Sequence, residues 1–159
     1  MRGKPLFWTI IAVFVTLSAV MSAISWNVFA NVRANAATTD ARLRELAWMV
    51  LAYADRNEAF PTSEAELRAF VGAPEGVPAA LAVTAAEGAE RTYPTTRAAL
   101  GATDPAPTLD ECFESIEVEW GLAGDVQPIL RSKGKPTLQG TSPTVGQWLY
   151  AMSERIRGR

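Results

Sequence analysis

From Pro5 to Val32 the chain carries no charged side chain, and these 28 residues constrain folding more than any other part of the 159-residue sequence. A helix formed by the apolar part, Leu6 to Trp26, is long enough to cross a hydrocarbon core of about 30 Å at a rise of about 1.5 Å per residue. Trp8 and Trp26 stand 18 positions apart. That is about 27 Å along a helix, which predicts one tryptophan at each membrane interface. Arg2 and Lys4 precede the run, so a cleaved signal peptide is the rival reading. Its apolar core would span about 7–15 residues and be followed directly by a small-x-small site. The run overshoots that length, and the late candidate Ala34-Asn35-Ala36 lies beyond Arg33, which favours an uncleaved anchor.

Basic residues flank both ends of the span, Arg2 and Lys4 before it and Arg33, Arg42 and Arg44 after it. The charge rule is therefore nearly balanced, and the expectation of a short head inside with the bulk outside follows from the small size of the head. Within the span, Ala12, Thr16, Ala19, Ala23 and Ala30 recur along one helical stripe, which would permit close helix–helix approach and self-association in lipid.

No Gly or Pro interrupts the chain between Leu6 and Glu58. Leu43, Leu46, Ala47, Val50, Leu51 and Ala54 follow the spacing of an amphipathic helix, with Arg42, Arg44 and Glu45 off that face. Thr39 or Asp40 would cap a separate helix if the chain breaks around residues 35–40; an unbroken helix would span about 80 Å. The helix ends in Tyr53-Ala-Asp-Arg-Asn57-Glu-Ala-Phe60-Pro61, with Asn57 as the expected left-handed terminator and Pro61 preventing continuation. Ser63 and Glu66 have the spacing of a capping box opening a short helix that ends before Gly72, with Leu67 and Phe70 inward.

An apolar helix continuing into an amphipathic half, then the turn from Tyr53 through Phe60-Pro61-Thr62 and a short helix containing Glu66-Leu67, resembles the type IV pilin and type II secretion pseudopilin class. The resemblance covers about residues 1–70 and is most specific from Tyr53 to Leu67. It implies a bacterial inner-membrane protein of α+β fold, its long N-terminal helix packed on a small antiparallel sheet, working through contacts with envelope or secretion-apparatus proteins. Arg2-Gly3 is similar to the end of the family's leader, but Lys4-Pro5 follows, and cleavage after Gly3 would put Trp8 where the family carries a glutamate. The resemblance with this departure implies an anchored monomer or small oligomer.

Residues 73–110 form an Ala- and Pro-rich connection in which Ala79–Ala86 fits helix or strand equally. From Phe113 the pattern sharpens. Ile116, Val118 and Trp120 alternate with Ser115, Glu117 and Glu119, a half-buried strand. A turn over Gly121–Asp125 leads to a second strand, Val126–Arg131, with Pro128 at an edge or bulge, and a further extended piece is expected around Pro136–Gln139. A final helix over residues 143–157 is predicted with Ser142 as N-cap and Pro143 first, presenting Val145, Trp148, Leu149, Met152 and Ile156 on one stripe. The basic end of that helix is predicted to complement its dipole.

The expected organisation is a basic head (1–5), a membrane helix (6–32) and an α+β domain (33–159), the last comprising helices over 33–58 and 63–71, the connection 73–110, a hairpin region 113–139 and the C-terminal helix. Its helix-on-sheet core is predicted to contain Leu43, Leu46, Val50, Leu51, Tyr53, Phe60, Leu67, Ile116, Val118, Trp120, Trp148 and Leu149.

Composition narrows the chemistry. The chain has no histidine, which removes imidazole triads, His-containing zinc sites and His-ligated haem. Its one cysteine, Cys112, lies among Asp110, Glu111 and Glu114, where carboxylates disfavour a thiolate. The net charge of −2 resolves into +3 for residues 1–57, −9 for 58–120 and +4 for 121–159. Major pseudopilins hold calcium in a C-terminal loop. The acids Asp104, Asp110, Glu111, Glu114, Glu117 and Glu119 form no Asp-x-Asp-x-Asp-Gly pattern, so no metal or other cofactor is expected. No nucleophile–base pair, phosphate-cradling loop or nucleic-acid stripe is visible. The leading reading is a non-enzymatic anchored protein acting through protein contacts. The alternative is an anchored extracytoplasmic ligand-binding or sensory domain, which a deep apolar pocket would mark.

Overall fold

The computed structural model describes residues 4–82, 93–101 and 105–158, with side chains from Phe7 onward. The possible leader Arg2-Gly3, the second half of the Ala79–Ala86 segment and Asp104 lie outside these residues. The chain divides into two compact units, one ending at Asn35 and the other beginning at Ala36. Helix α1 (Lys4–Asn57) contributes to both, and no break occurs around residues 35–40. The fold is α+β: four α-helices and a two-stranded antiparallel sheet among the described residues.

The first unit is the N-terminal part of α1. Its backbone hydrogen bonds close within the helix, and its polar side chains bond back to the preceding turn, Thr16 Oγ1 donating to the Ala12 carbonyl at 2.8 Å and Asn27 Nδ2 to the Ala23 carbonyl at 3.2 Å.

In the second unit α1 forms the centre of the core. Every residue from Glu45 to Ala52 is buried; at about 3.6 residues per turn, eight consecutive positions cover the whole helix circumference. This segment is therefore enclosed on all sides, and Glu45, expected off the apolar face, is buried. Helix α1 leaves the helical region at Glu58, whose φ is +53°, one residue later than expected. Asn57 remains helical, with its side-chain amide donating to the Tyr53 carbonyl at 2.9 Å.

Helix α2 (Glu64–Val71) starts at Ser63, whose Oγ accepts from the Glu66 amide at 3.4 Å. The Glu66 carboxylate reaches back to the Thr62 amide and hydroxyl at 2.7 and 3.0 Å, one residue before the position a strict capping box uses. Leu67 and Phe70 are buried. Among its described residues, the Ala/Pro-rich connection holds one bridge, between Ala80 and Thr96, and a 3₁₀ turn over Arg97–Leu100.

Helix α3 (Leu109–Ser115) takes the last two residues of the expected connection and also Phe113–Ser115, the start of the region expected to be a hairpin. Thr108 and Glu111 form a full capping box there. Strand β1 (Ile116–Glu119) follows directly and pairs with β2 (Ile129–Ser132), Ile116 opposite Ser132 and Glu119 opposite Ile129. Strand β2 begins three residues later than expected because Pro128, which has no N–H to donate, stands outside it. Ile116 and Leu130 are buried and Val118 is partly buried, while Glu117, Glu119, Ile129 and Arg131 face outward. Gly121 lets the connection between the strands close tightly: a Cβ there would lie 2.3 Å from the Val126 carbonyl oxygen. The Pro136–Gln139 segment adds no strand.

Helix α4 (Thr141–Arg157) begins one residue before its expected Ser142 cap. Gly140 is the N-cap, with φ +95°, a conformation that suits glycine. Asp40 sets this start, because its carboxylate accepts from the Thr141 hydroxyl at 2.5 Å and from the Leu138 amide at 3.0 Å. Pro143 lies in the first turn, where the missing N–H costs no intrahelical bond. Val145, Leu149 and Met152 are buried, and Trp148 and Ile156 pack partly against the core.

Candidate functional site

Two surfaces follow from this arrangement. The first is the helix segment that the chain leaves uncovered. Across Phe7–Val32 the large apolar side chains are exposed, Trp8 at 66% and Trp26 at 78%, apart from the half-exposed Ile11. The apolar window has a mean hydropathy of 2.2, and none of it is buried within the chain. The core helix of a soluble protein is buried, and this one is not. A single long, apolar, uncovered helix fits a membrane anchor, in which lipid supplies the cover and the backbone is satisfied internally. The stripe Ala12, Thr16, Ala19, Ala23 and Ala30 is exposed along it.

The second is the polar framework that α1 extends into the domain. Three of its acids each hold a different segment. Asp40 holds the start of α4, as described. Glu45 receives Arg97 through Nη2 and, at 3.2 Å, through Nε. Asp55 accepts from Arg155 and from the Ala82 amide, both at 2.6 Å. Between them, Arg44 donates to the Leu100 carbonyl at 2.9 Å and the Trp48 indole to the Pro78 carbonyl at 3.1 Å. Among the described residues the long connection is thus fastened to α1 through Pro78, Ala82, Arg97 and Leu100. Arg155 is raised above the ordinary arginine range even though its burial opposes this, because Asp55 and Tyr93 hydrogen-bond its charged form. In the sequence Asp40 is expected at most to cap a helix at a break that does not occur, Glu45 is expected off the apolar face, and no pattern singles out Asp55.

Of the expected core residues, Leu43, Leu46, Val50, Leu51, Phe60, Leu67, Ile116 and Leu149 are buried, and Tyr53, Val118, Trp120 and Trp148 pack partly against them.

The acids after residue 104 do not converge. Asp110 pairs with Arg68 at 2.6 Å, and Glu119 with Arg131 at 3.4 Å. Glu111 is held below the ordinary carboxylate range chiefly by the hydrogen bond from the Thr108 amide. Among the described residues no group of three or more His, Cys, Asp or Glu side chains is placed to hold a metal ion.

Cys112 is buried against α1, and burial, assisted by Glu45, pushes its thiol up to about 12. The thiol is therefore protonated and inaccessible at neutral pH. A thiol reagent at pH 8 should leave the native protein unlabelled and label it fully once it is unfolded; rapid native labelling would contradict this burial. The linkage has a definite sign. The unfolded thiol ionises near pH 8.5 and the folded one does not, so this contribution to stability is complete below that pH and is lost as pH rises toward 12.

A groove of about 310 Å3 runs between Ala37, Thr38, Ala41 and Arg42 of α1, the Pro105–Pro107 segment and Glu111. A smaller hollow of about 130 Å3 lies between β2 and α4, lined by Ile129, Leu130, Val145 and Leu149. A wider, open hollow of about 720 Å3 lies along α4, lined by Pro143, Gly146, Gln147, Tyr150 and Ala151.

Compared with protein-family models, curated proteins and solved structures, the chain matches none of them.

Proposed function

We propose that this chain is a single-pass inner-membrane protein of the bacterial envelope, with a pilin-like domain outside the cytoplasm that acts through protein–protein contacts in a secretion or pilus-like apparatus. One observation carries the reading: a single helix, Lys4–Asn57, has an uncovered apolar first part and a last part enclosed as the core of a domain. The Tyr53–Leu67 turn supports the pilin-like assignment, and the missing carboxylate in Pro5–Val32 supports an anchored monomer or small oligomer over bulk filament incorporation.

The test is extraction followed by mass spectrometry. The protein is expected to resist alkaline carbonate and to require detergent, and a chain lacking residues 1–35 is expected in the soluble fraction. Intact mass should show an unprocessed N-terminus. Loss of Met1–Gly3 would indicate prepilin-type processing, and loss of about 25–36 residues a signal peptide, which would remove the anchor. Cross-linking in the native envelope should then recover secretion or pilus components; its failure to do so would leave the anchor standing and overturn the apparatus assignment.

A further inference from the structure

We propose that the groove between α1 and the Pro105–Pro107 segment binds a phosphate–ammonium zwitterion, the chemistry of an ethanolamine phosphate group. Two charged side chains of opposite sign line it, Arg42 and Glu111. Arg42 Nη1 donates to the neutral Ser115 Oγ at 2.5 Å, and the Glu114 carboxylate is 3.8 Å from that nitrogen, too far for a hydrogen bond. Arg68, Arg97 and Arg155, by contrast, each donate directly to a carboxylate. Lys135 Nζ donates to the same Ser115 Oγ at 3.0 Å, so two cations meet over one neutral hydroxyl, no more than about 5.5 Å apart with the two bonds laid end to end. The Glu114 carboxylate offsets part of this charge, and the Arg42 guanidinium, which has five N–H donors and gives one to Ser115, keeps donors that a phosphate would take up in charge-assisted hydrogen bonds.

Glu111 supplies the opposite requirement. Both hydrogen bonds from Thr108 fall on its Oε2, which leaves Oε1 as an acceptor for an ammonium, itself a three-donor group. A simple anion would satisfy Arg42 and be repelled by Glu111; a simple cation would do the reverse. A small zwitterion satisfies both, and the groove's volume of about 310 Å3 is at the small end of the range for ligand sites. The inference rests on the membrane reading for its supply of ligand. Bilayers display this headgroup at high density, and Ala37 follows Val32 by only five positions, at most about 18 Å of chain.

The experiment uses the full-length protein in phosphatidylcholine nanodiscs doped with either phosphatidylethanolamine or phosphatidylglycerol, with retained lipid read by native mass spectrometry. The ethanolamine lipid should be retained about tenfold over the other two, the worth of one charge-assisted hydrogen bond. Glu111→Gln, which keeps the capping box, should erase that preference. Arg42→Gln should lower retention of both doped lipids, and circular dichroism checks its fold; if Arg42→Gln does not fold, the Glu111→Gln comparison decides. Soluble phosphoethanolamine that displaces the lipid would assign the site to the free group as well, and lipid preference that survives it would assign the site to the membrane form. Equal retention of all three lipids, or a preference for phosphatidylglycerol, overturns the proposal. A chain that fails to enter the discs overturns the membrane reading instead, and binding of soluble phosphoethanolamine in detergent then decides the groove by itself.

Discussion

Replacing Trp48 with alanine is expected to destabilise the domain by about 3–5 kcal/mol. The side chain is fully buried at the middle of the enclosed part of α1, so its removal loses transfer free energy and leaves a cavity that the surrounding segments fill only in part. The indole N–H also fastens the Pro78 carbonyl at 3.1 Å, and losing that bond adds about 1 kcal/mol. Domains of this size are stable by about 5–15 kcal/mol, so the variant should be near its folding threshold. Urea denaturation of the detergent-solubilised full chain measures this through the shift in midpoint. A loss below about 1 kcal/mol would mean that the site is not enclosed as described.

The second large effect is expected at the Glu45–Arg97 pair. Glu45 is buried and Arg97 is about one-third exposed, with side-chain exposures of 3% and 36%. Arg97→Ala would leave a buried carboxylate without its cation. A fully buried pair broken this way costs about 3–5 kcal/mol, and solvent access to Arg97 lowers the expectation to about 2–3 kcal/mol. The double variant Glu45→Leu with Arg97→Met should recover most of this loss, because apolar groups of similar volume often replace a buried ion pair without penalty. A double-mutant cycle on the same urea curves gives the coupling directly, and a coupling near zero would show that the two charges act independently.

What was legible in the sequence was whatever depends on local periodicity. The uncharged span, the helical spacing from Leu43 to Ala54, the alternation at Ile116–Trp120 and the stripe from Val145 to Ile156 each follow from a repeat of the backbone. Helix α3 is too short, at seven residues, to show a helical period, although Thr108 and Glu111 stand at capping-box spacing. Glu45 is expected off the apolar face, and nothing in the pattern singles out Trp48 or Asp55, for a different reason. Periodicity assigns one buried stripe to a helix, and these residues lie off the stripe. Trp48 and Glu45 are buried, and Asp55 partly so, because the connection after Gly72 wraps the remaining faces, and its Ala/Pro-rich composition shows no period from which that path can be deduced. The same limit applies to the groove, since Arg42, Pro105 and Glu111 are distant in sequence and only the wrapping of the connection brings them together.

The long-range fastening of α1 also bears on the order of events during synthesis. Asp40 meets Thr141, and Asp55 meets Arg155, across separations of 101 and 100 residues. At about 5–20 residues per second, translation needs on the order of 5–20 s to make that intervening chain. Throughout this interval the apolar start of α1 is already made, whereas the last partner of its core segment does not yet exist. On the proposed membrane reading, targeting to the bilayer would have a head start over closure of the domain, and the domain would complete its fold as a tethered chain.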